Sequence, residues 1–227
     1  MSSIFFATPC HRASPQRVDE LQKFASKSVG NIQGSHVVSV VSNNPWIFSA
    51  RADLVAAFRA SKCDHMFFRD DDITFAPELL ERMVALNLPL VAVPYRLRLP
   101  PHGWALRRVD DLLLAGLGCC LIQREVIIAM WDHFSGQLGY SEGDQPRVAL
   151  FDQVFKFETD NSVMRRRQWK EDHAFFLRAA ECRSYLALMS GKLRHQDIPS
   201  EWNAEEAAKL GMWVTGLPIP LQTDESP

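Results

Sequence analysis

Apolar runs alternate with segments of helical periodicity through the first part of the chain, and each run ends at a polar turn. The runs have the length of buried strands, and the segments between them are long enough for helices. The predicted strands are Ile4–Ala7, Val37–Val41, His65–Phe68 and Leu90–Val93, and the predicted helices are Pro15–Lys27, Ile47–Ala60 and Pro77–Leu86. This alternation predicts an α/β fold: a three-layer α/β/α sandwich with a mainly parallel, Rossmann-like central sheet.

The pattern is less regular after Pro94. Strands are predicted at 112–114, 119–122, 153–157 and 185–188 with a short continuation at 193–197, and helices at 124–133, 171–180 and 201–210. Ser135–Pro146 is polar and contains glycines, so it is predicted to be a loop and is a candidate mobile lid. We expect one domain over residues 1–199, followed by a C-terminal helix and tail over 200–227.

Composition excludes some classes of protein. Hydrophobic residues make up 47% of the 227 residues and charged residues 23%, as in ordinary globular domains. A formal net charge of −2 gives no general attraction to nucleic acid or anionic membranes. The five cysteines have no C-x-x-C spacing, which favours free thiols in a reducing compartment. Met1–Ile4 is too short and polar to begin a signal peptide, and no apolar run has the length of a membrane span, so we expect a cytoplasmic protein.

Three consecutive carboxylates, Asp70, Asp71 and Asp72, follow the third predicted strand. In an extended chain Asp70 and Asp72 would share one face, where their charges repel unless a cation lies beside them. Carboxylates at a strand end suit Mg²⁺ or Mn²⁺, which leave other positions to substrate phosphates. The alternative is a solvated acidic turn that caps the next helix.

The carboxyl ends of parallel strands are where ligands collect in such sheets. Thr8–Cys10, Ser42–Asn44 and Asp70–Asp72 each follow or close a predicted strand, so we expect the three loops to line one cleft. Arg51 lies near the start of the second predicted helix, within reach of a phosphate or of the acidic cluster. An exposed arginine at a helix start needs no such role, and that interpretation stays open.

Five features in order carry a family resemblance: Phe6–Cys10, Phe68–Ile73, Gly116–Gly118, the pair Glu171-Asp172, and His195. With them the chain resembles the GT-A class of nucleotide-sugar-dependent glycosyltransferases over about Phe5–Asp197. It looks most like small stand-alone bacterial and phage members related to the family 2 type. The resemblance implies metal-dependent transfer of a sugar from a nucleoside-diphosphate sugar to an acceptor hydroxyl.

The resemblance also implies roles for individual residues. Asp72 and His195 would ligate the metal, with Asp70 in the metal and ribose shell and Asp71 beside the donor. An imidazole ligand favours Mn²⁺ over Mg²⁺. The alternative for His195 is a surface histidine that balances Asp197.

Donor contacts are implied at both ends of the domain. Thr8, Pro9 and Asn43 would border the nucleobase and ribose, and Gly116 and Gly118 would let the backbone approach the donor sugar, since glycine carries no Cβ. The alternative for all five is that they are ordinary turn residues.

The family's general base maps to Asp172, with Glu171 as the alternative. A base placed there would activate the acceptor hydroxyl and invert the anomeric centre. Acidic residues that open a helix are also favoured by its dipole without any catalytic role. A metal-ligating histidine is frequent in retaining relatives too, so the stereochemical outcome stays open.

Two basic segments border these features. They are Arg96, Arg98, Arg107 and Arg108 after the fourth strand, and Arg165–Arg167 before the acidic pair. They would hold the donor diphosphate or an anionic acceptor, or they are solvated loop charges. The acceptor stays open among a glycan, a lipid-linked sugar, a protein and a modified DNA base. Trp104, Trp131 and Trp169 would stack on a sugar ring or pack in the core.

Two other functions fit the predicted fold. A nucleotidyltransferase would normally carry a glycine-rich phosphate-binding loop directly after the first strand. The corresponding segment here, Thr8–Arg12, contains no glycine. A catalytically silent sugar- or nucleotide-binding module would keep Asp72 but would not require Asp172.

Overall fold

The computed structural model describes residues 2–12, 14–41, 44–109, 111–160, 163–210 and 212, except for the side chains of 156–160 and 163–167. The strands are β1 Ile4–Pro9, β2 Val37–Val41, β3 His65–Arg69, β4 Ile73–Phe75, β5 Leu90–Ala92, β6 Leu106–Val109, β7 Leu112–Ala115, β8 Cys119–Gln123, β9 Gly139–Glu142, β10 Gln145–Val148, β11 Val154–Asp160, β12 Val163–Trp169, β13 Ala187–Leu188, β14 Gly191–His195 and β15 Ile198–Trp202. The helices are α1 Pro15–Val29, α2 Ile47–Ala60, α3 Glu78–Ala85, α4 Arg124–Leu138, α5 Glu171–Glu181 and α6 Ala204–Lys209. Among the helices described, none has the length and apolar composition required to cross a membrane.

Six strands form the central sheet, in the order β13-β5-β8-β3-β1-β2. Neighbouring strands are parallel except where β8 pairs antiparallel with β3 and β5. The prediction of a mixed α/β fold with a mainly parallel central sheet is therefore confirmed. Among the described residues, four smaller sheets accompany it: the three-stranded β15-β14-β4 and the two-stranded β6-β7, β9-β10 and β11-β12.

Strands β1, β3 and β5 are buried at every residue, as is typical of strands in a mainly parallel sheet. Phe5 and Ala7 of β1 belong to one core, together with side chains of α2, α4 and α5. Ile4 and Phe6 belong to the other, together with side chains of α1 and α3. Alternate side chains of a strand point to opposite faces, so one strand contributes to both cores.

The prediction of a loop over Ser135–Pro146 is wrong. Helix α4 continues to Leu138, because its apolar face extends to the buried Phe134, and residues 139–148 then form the hairpin β9-β10. Gly143 closes the hairpin turn with a φ of 60°, which favours glycine. Arg147 Nε donates to Asp53 Oδ1 of α2 over 2.7 Å and holds the hairpin against the domain.

The C-terminal helix is shorter than predicted. Residues 198–202 form β15, which pairs antiparallel with β14, so the expected domain limit at 199 falls inside a strand. Helix α6 begins after Asn203, whose side chain accepts a hydrogen bond from Glu206 N. The predicted tail beyond 212 lies outside the described residues.

Candidate active site

The carboxyl ends of β1, β2 and β3 lie side by side, as the parallel pairing requires. Cys10 N–H donates to Val41 O over 2.8 Å, and Cys10 Sγ donates to Asp71 Oδ2 over 2.9 Å. Burial, with the hydrogen bond to Asp71, raises the pKa of Cys10 to about 12, so the thiol keeps its proton and remains a donor. The β1 and β3 ends are thus in contact, while the predicted donor residue Asn43 lies outside the described residues.

The three aspartates occupy a turn instead of an extended strand end. Ile73 N–H donates to Asp70 O over 3.1 Å, which closes a β-turn and leads into β4. Gln196 N–H donates to Asp72 O over 2.7 Å beside the pairing of β4 with β14. The expectation that Asp70 and Asp72 alternate with Asp71 along an extended chain is wrong, and each carboxylate contacts a different set of partners.

Asp70 is held by Arg51. The Arg51 side chain is 2% exposed, its Nη2 lies 3.0 Å from Asp70 Oδ1, and its Nη1 donates to Asp172 Oδ1. Burial opposes the charge on this guanidinium, but Asp172 and Asp70 outweigh it and hold the pKa of Arg51 above its usual value. Of the roles considered for Arg51, the structure shows the contact with the acidic cluster, and the exposed helix-start interpretation is wrong.

Asp172 lies in the first turn of α5, and its side chain is 23% exposed. Burial raises the pKa of Asp172 against the opposing effect of Arg51, and together with the neighbouring charges of Asp70 and Glu171 it brings that pKa to about 6. A carboxylate with a pKa near neutrality is suited to accept a proton from a substrate hydroxyl. Glu171 is half-buried in the same turn.

Asp72 lies in a second polar cluster. Its Oδ2 is 3.4 Å from His195 Nε2 and 3.5 Å from Arg98 Nη1. Burial alone would raise the pKa of Asp72, but the contacts with His195 and Arg98 outweigh it and lower the pKa. Burial likewise would lower the pKa of His195, but its hydrogen bonds to Asp72 and to the Arg96 carbonyl raise it.

The Asp72–His195 pair fits a divalent cation that takes only two protein ligands. His195 Nδ1 lies 2.8 Å from Arg96 O, so a proton on Nδ1 lets Nε2 ligate, as is usual for metal-binding histidines, once the metal displaces the proton that Nε2 shares with Asp72. Adjacent ligands of an octahedral ion with bonds of about 2.1 Å lie about 3 Å apart, close to the observed separation. Among the residues that the structure describes, no group of three or more histidine, cysteine or acidic side chains is close enough to hold a metal. Waters and phosphate oxygens would have to complete the shell.

The two predicted glycines are required by packing. A Cβ on Gly118 would lie 2.7 Å from Asp70 Oδ2 and 2.5 Å from Ile73 Cδ1, and one on Gly116 would lie 2.2 Å from the Tyr95 hydroxyl oxygen. Tyr95 is buried and packs edge-on against His195, with ring centroids 5.0 Å apart. Gly116 and Gly118 therefore let Tyr95 and the acidic turn fit together, and their approach to a donor sugar stays a prediction.

Sequence reasoning missed the arginines that hold the turn backbone. Arg17 Nη2 donates to Asp71 O over 2.7 Å, and Arg69 Nε donates to Ile73 O over 2.6 Å. Burial, together with the charge of Arg17, lowers the pKa of Arg69 to about 10, and its guanidinium lies 4.2 Å from the centre of the Phe24 ring. The signal available in the sequence was the charge of Arg69 at the end of the largely apolar strand β3.

The remaining predicted residues are placed as follows. Thr8 and Pro9 are buried inside β1, and Arg107 and Arg108 are exposed on β6. Trp104 Nε1 donates to Glu206 Oε2, while Trp131 and Trp169 are buried in the core that contains α4 and α5. The side chains of Arg165–Arg167 lie outside the described residues.

Comparison of the chain with known protein families, and separately with curated proteins, finds no match. The function therefore has to be argued from the chemistry of the two carboxylate clusters.

Proposed function

We propose that the chain is a metal-dependent glycosyltransferase with a GT-A-like, three-layer α/β/α domain. One observation carries the proposal: a single turn places Asp72 against His195 and links Asp70 through Arg51 to Asp172. One end of the turn thus offers a metal-binding pair, and the other end is connected to a carboxylate suited to proton transfer. The two cores on opposite faces of a mainly parallel sheet support the three-layer arrangement.

Mn²⁺ or Mg²⁺ held by Asp72 and His195 would supply positive charge that stabilises a departing nucleoside diphosphate. Asp72 carries a lowered pKa, so it remains an anionic ligand near neutral pH. The imidazole of His195 favours Mn²⁺.

Asp172 acts as the general base. The acceptor oxygen forms its bond to the anomeric carbon as the bond between that carbon and the diphosphate oxygen breaks. The electron pair leaves with the diphosphate, and the hydroxyl proton passes to Asp172 Oδ. With a pKa of about 6, Asp172 is mostly unprotonated at neutral pH and ready to accept that proton. Arg51 fixes the orientation of the carboxylate.

The family resemblance implies the classes of substrate. The donor is a nucleoside-diphosphate sugar, and the acceptor is a hydroxyl on a glycan, a lipid-linked sugar, a protein or a modified DNA base. All five cysteines are free thiols, which suits a reducing compartment such as the cytoplasm.

The test is Mn²⁺-dependent hydrolysis and binding of UDP- and GDP-sugars by the wild type and by Asp72→Asn. We expect Asp72→Asn to lower turnover by at least about 100-fold, because a neutral amide holds a divalent cation poorly. Asp132→Asn, an exposed aspartate of α4, is the matched control and should leave turnover unchanged.

Two outcomes would contradict the proposal. If the wild type binds no donor in any divalent metal, the candidate site is not a glycosyltransferase site. If it binds donor but transfers to no acceptor, and Asp172→Asn changes nothing, the chain is a silent nucleotide-binding module.

A further inference from the structure

Arg98 is the most exposed of the side chains that contact the candidate metal pair. Its guanidinium lies 3.5 Å from Asp72 Oδ2, and its side chain is 55% exposed, whereas that of Asp72 is 22% exposed. The contact is therefore weak and open to solvent, and breaking it costs little. Arg51, by contrast, is 2% exposed and bonded to two carboxylates, so it is not available to a ligand.

The loop that carries Arg98 is anchored at its base. Leu97 N–H donates to Gly103 O over 2.7 Å, and Arg96 N–H donates to Ser200 Oγ over 2.8 Å. Arg96 Nη2 also lies 3.0 Å from Glu206 Oε2. The backbone next to Arg98 is thus fixed to β15 and α6, while the arginine side chain itself projects into solvent beside Asp72.

A metal ion and Arg98 would compete for the same oxygen. His195 Nε2 and Arg98 Nη1 both approach Oδ2 of Asp72. A divalent ion bound between Asp72 and His195 would take that oxygen and repel the guanidinium, since like charges a few ångströms apart destabilise each other. The exposed guanidinium is then available to pair with an anion that the metal carries.

We propose that Arg98 exchanges partners during substrate binding: it neutralises Asp72 when no metal is bound and binds the diphosphate of the donor once metal is bound. The inference rests on the proposed function and adds a phosphate-binding residue to it. A guanidinium fits this role because its planar fork donates two parallel hydrogen bonds to phosphate oxygens. The departing diphosphate would then be stabilised by Arg98 as well as by the metal.

The exchange predicts effects of opposite sign for one substitution. Arg98→Ala removes a competing cation from Asp72, so Mn²⁺ alone should bind about 2- to 5-fold more tightly. The same substitution removes a charged donor to phosphate, so UDP and GDP should bind about 10-fold more weakly in the presence of saturating Mn²⁺. A residue that only supports the fold would weaken both.

The experiment titrates Mn²⁺ by electron paramagnetic resonance and then titrates UDP and GDP by calorimetry at saturating Mn²⁺. Arg98→Lys keeps the charge without the fork, so it should bind Mn²⁺ like the wild type and the diphosphates with intermediate affinity. Arg194→Ala is the matched control, because Arg194 is an exposed arginine next to His195 in β14 whose side chain alternates to the other face of the strand. Melting temperatures measured for all variants show whether a change in affinity results from misfolding.

The outcomes separate the two proposals. Tighter Mn²⁺ binding with weaker diphosphate binding in Arg98→Ala, and no change in Arg194→Ala, supports the exchange. A second set of results would show that the exchange is wrong while the proposed function stands. In it the wild type binds Mn²⁺ and diphosphate, and His195→Ala weakens Mn²⁺ binding. Arg98→Ala, however, either changes neither affinity or weakens both. If the wild type binds neither Mn²⁺ nor diphosphate, both proposals fail.

Discussion

The chemistry of Asp172 depends on Arg51. The two side chains are joined by an ion pair in which Arg51 is buried, and the same guanidinium also contacts Asp70. Burial disfavours the charge on Asp172 and Arg51 favours it, so the pKa of about 6 is a balance between the two. The pH dependence of the proposed reaction tests that balance.

We expect kcat/KM for sugar transfer to be constant above about pH 7 and to fall about tenfold per pH unit well below pH 6, because a protonated Asp172 cannot accept a proton. The pKa of Asp172 is raised above its usual value, so this fall in kcat/KM, the acidic limb of the pH–rate profile, begins at a higher pH than it would with an ordinary carboxylate as the base. The measurement is a pH–rate profile for donor and acceptor in the presence of Mn²⁺.

Replacing Arg51 gives the matched comparison. In Arg51→Lys a single ammonium cannot bond both carboxylates as the planar guanidinium does, so the acidic limb should move to higher pH. Arg147→Lys changes a similar arginine–aspartate pair on the β9-β10 hairpin and should leave the limb unmoved. A limb that stays in place in Arg51→Lys would show that Asp172 is not the titrating base.

At the scale of elements, the acidic turn depends on close packing between the β3–β4 connection and the segment before β8. Asp70 N–H donates to Gly118 O over 3.2 Å, and a Cβ on Gly118 would lie 2.7 Å from Asp70 Oδ2 and 2.5 Å from Ile73 Cδ1. A side chain at position 118 has to displace a carboxylate of the site.

We expect Gly118→Ala to lower the free energy of unfolding by about 1–3 kcal/mol, because its methyl group overpacks the turn. It should also lower transfer activity, since Asp70 has to move away from Arg51. Urea denaturation measures the first effect, and donor turnover at a temperature well below the melting transition measures the second.

Gly136→Ala is the control for this change. Gly136 lies in α4 and a Cβ there would meet nothing within 4 Å, so alanine should raise stability by about 0.5–1 kcal/mol through its helix propensity. Equal losses of stability in the two variants would contradict the packing argument.

At the scale of the whole molecule, the end of the described chain returns to the candidate site. Glu206 of α6 accepts hydrogen bonds from Arg96 and from Trp104, each over 3.0 Å, and the Arg96 carbonyl faces His195. The C-terminal helix thus supports the loop that positions the histidine. The domain limit expected from sequence would separate two parts that share this network.

We expect Glu206→Ala to lower the melting temperature and to weaken Mn²⁺ binding, because Arg96 loses its carboxylate partner and the loop beside His195 is less constrained. Glu206→Gln should restore part of both effects, since the amide oxygen can still accept. Lys209→Ala, which removes only the exposed ammonium on the other side of Glu206, should leave Mn²⁺ affinity unchanged. Calorimetry and Mn²⁺ titration measure the two effects, and unchanged Mn²⁺ affinity in Glu206→Ala would contradict the supporting role.

Local patterns predicted the elements that depend on local chemistry. Strand β2 and helix α2 have the bounds that the sequence predicted, because a cluster of four valines and a long apolar periodicity each specify one structure. Strand β4 was missed because its three residues form a strand only by pairing with β14, far along the chain. The β9-β10 hairpin was missed because polar strands on an exposed hairpin resemble a loop in composition.

The sequence by itself determined the order of strands β1, β2, β3 and β5 and of helices α1, α2 and α3, the mainly parallel sheet and the types of residue that could form a site. Only the tertiary structure decided which residues meet: the turn separates Asp70 from Asp72, Arg51 joins Asp70 to Asp172, and His195 faces Asp72. The physical reason is the separation along the chain of the residues that interact. Secondary structure follows from neighbours along the chain, whereas the pairing of buried charges depends on which distant elements the folded core brings together.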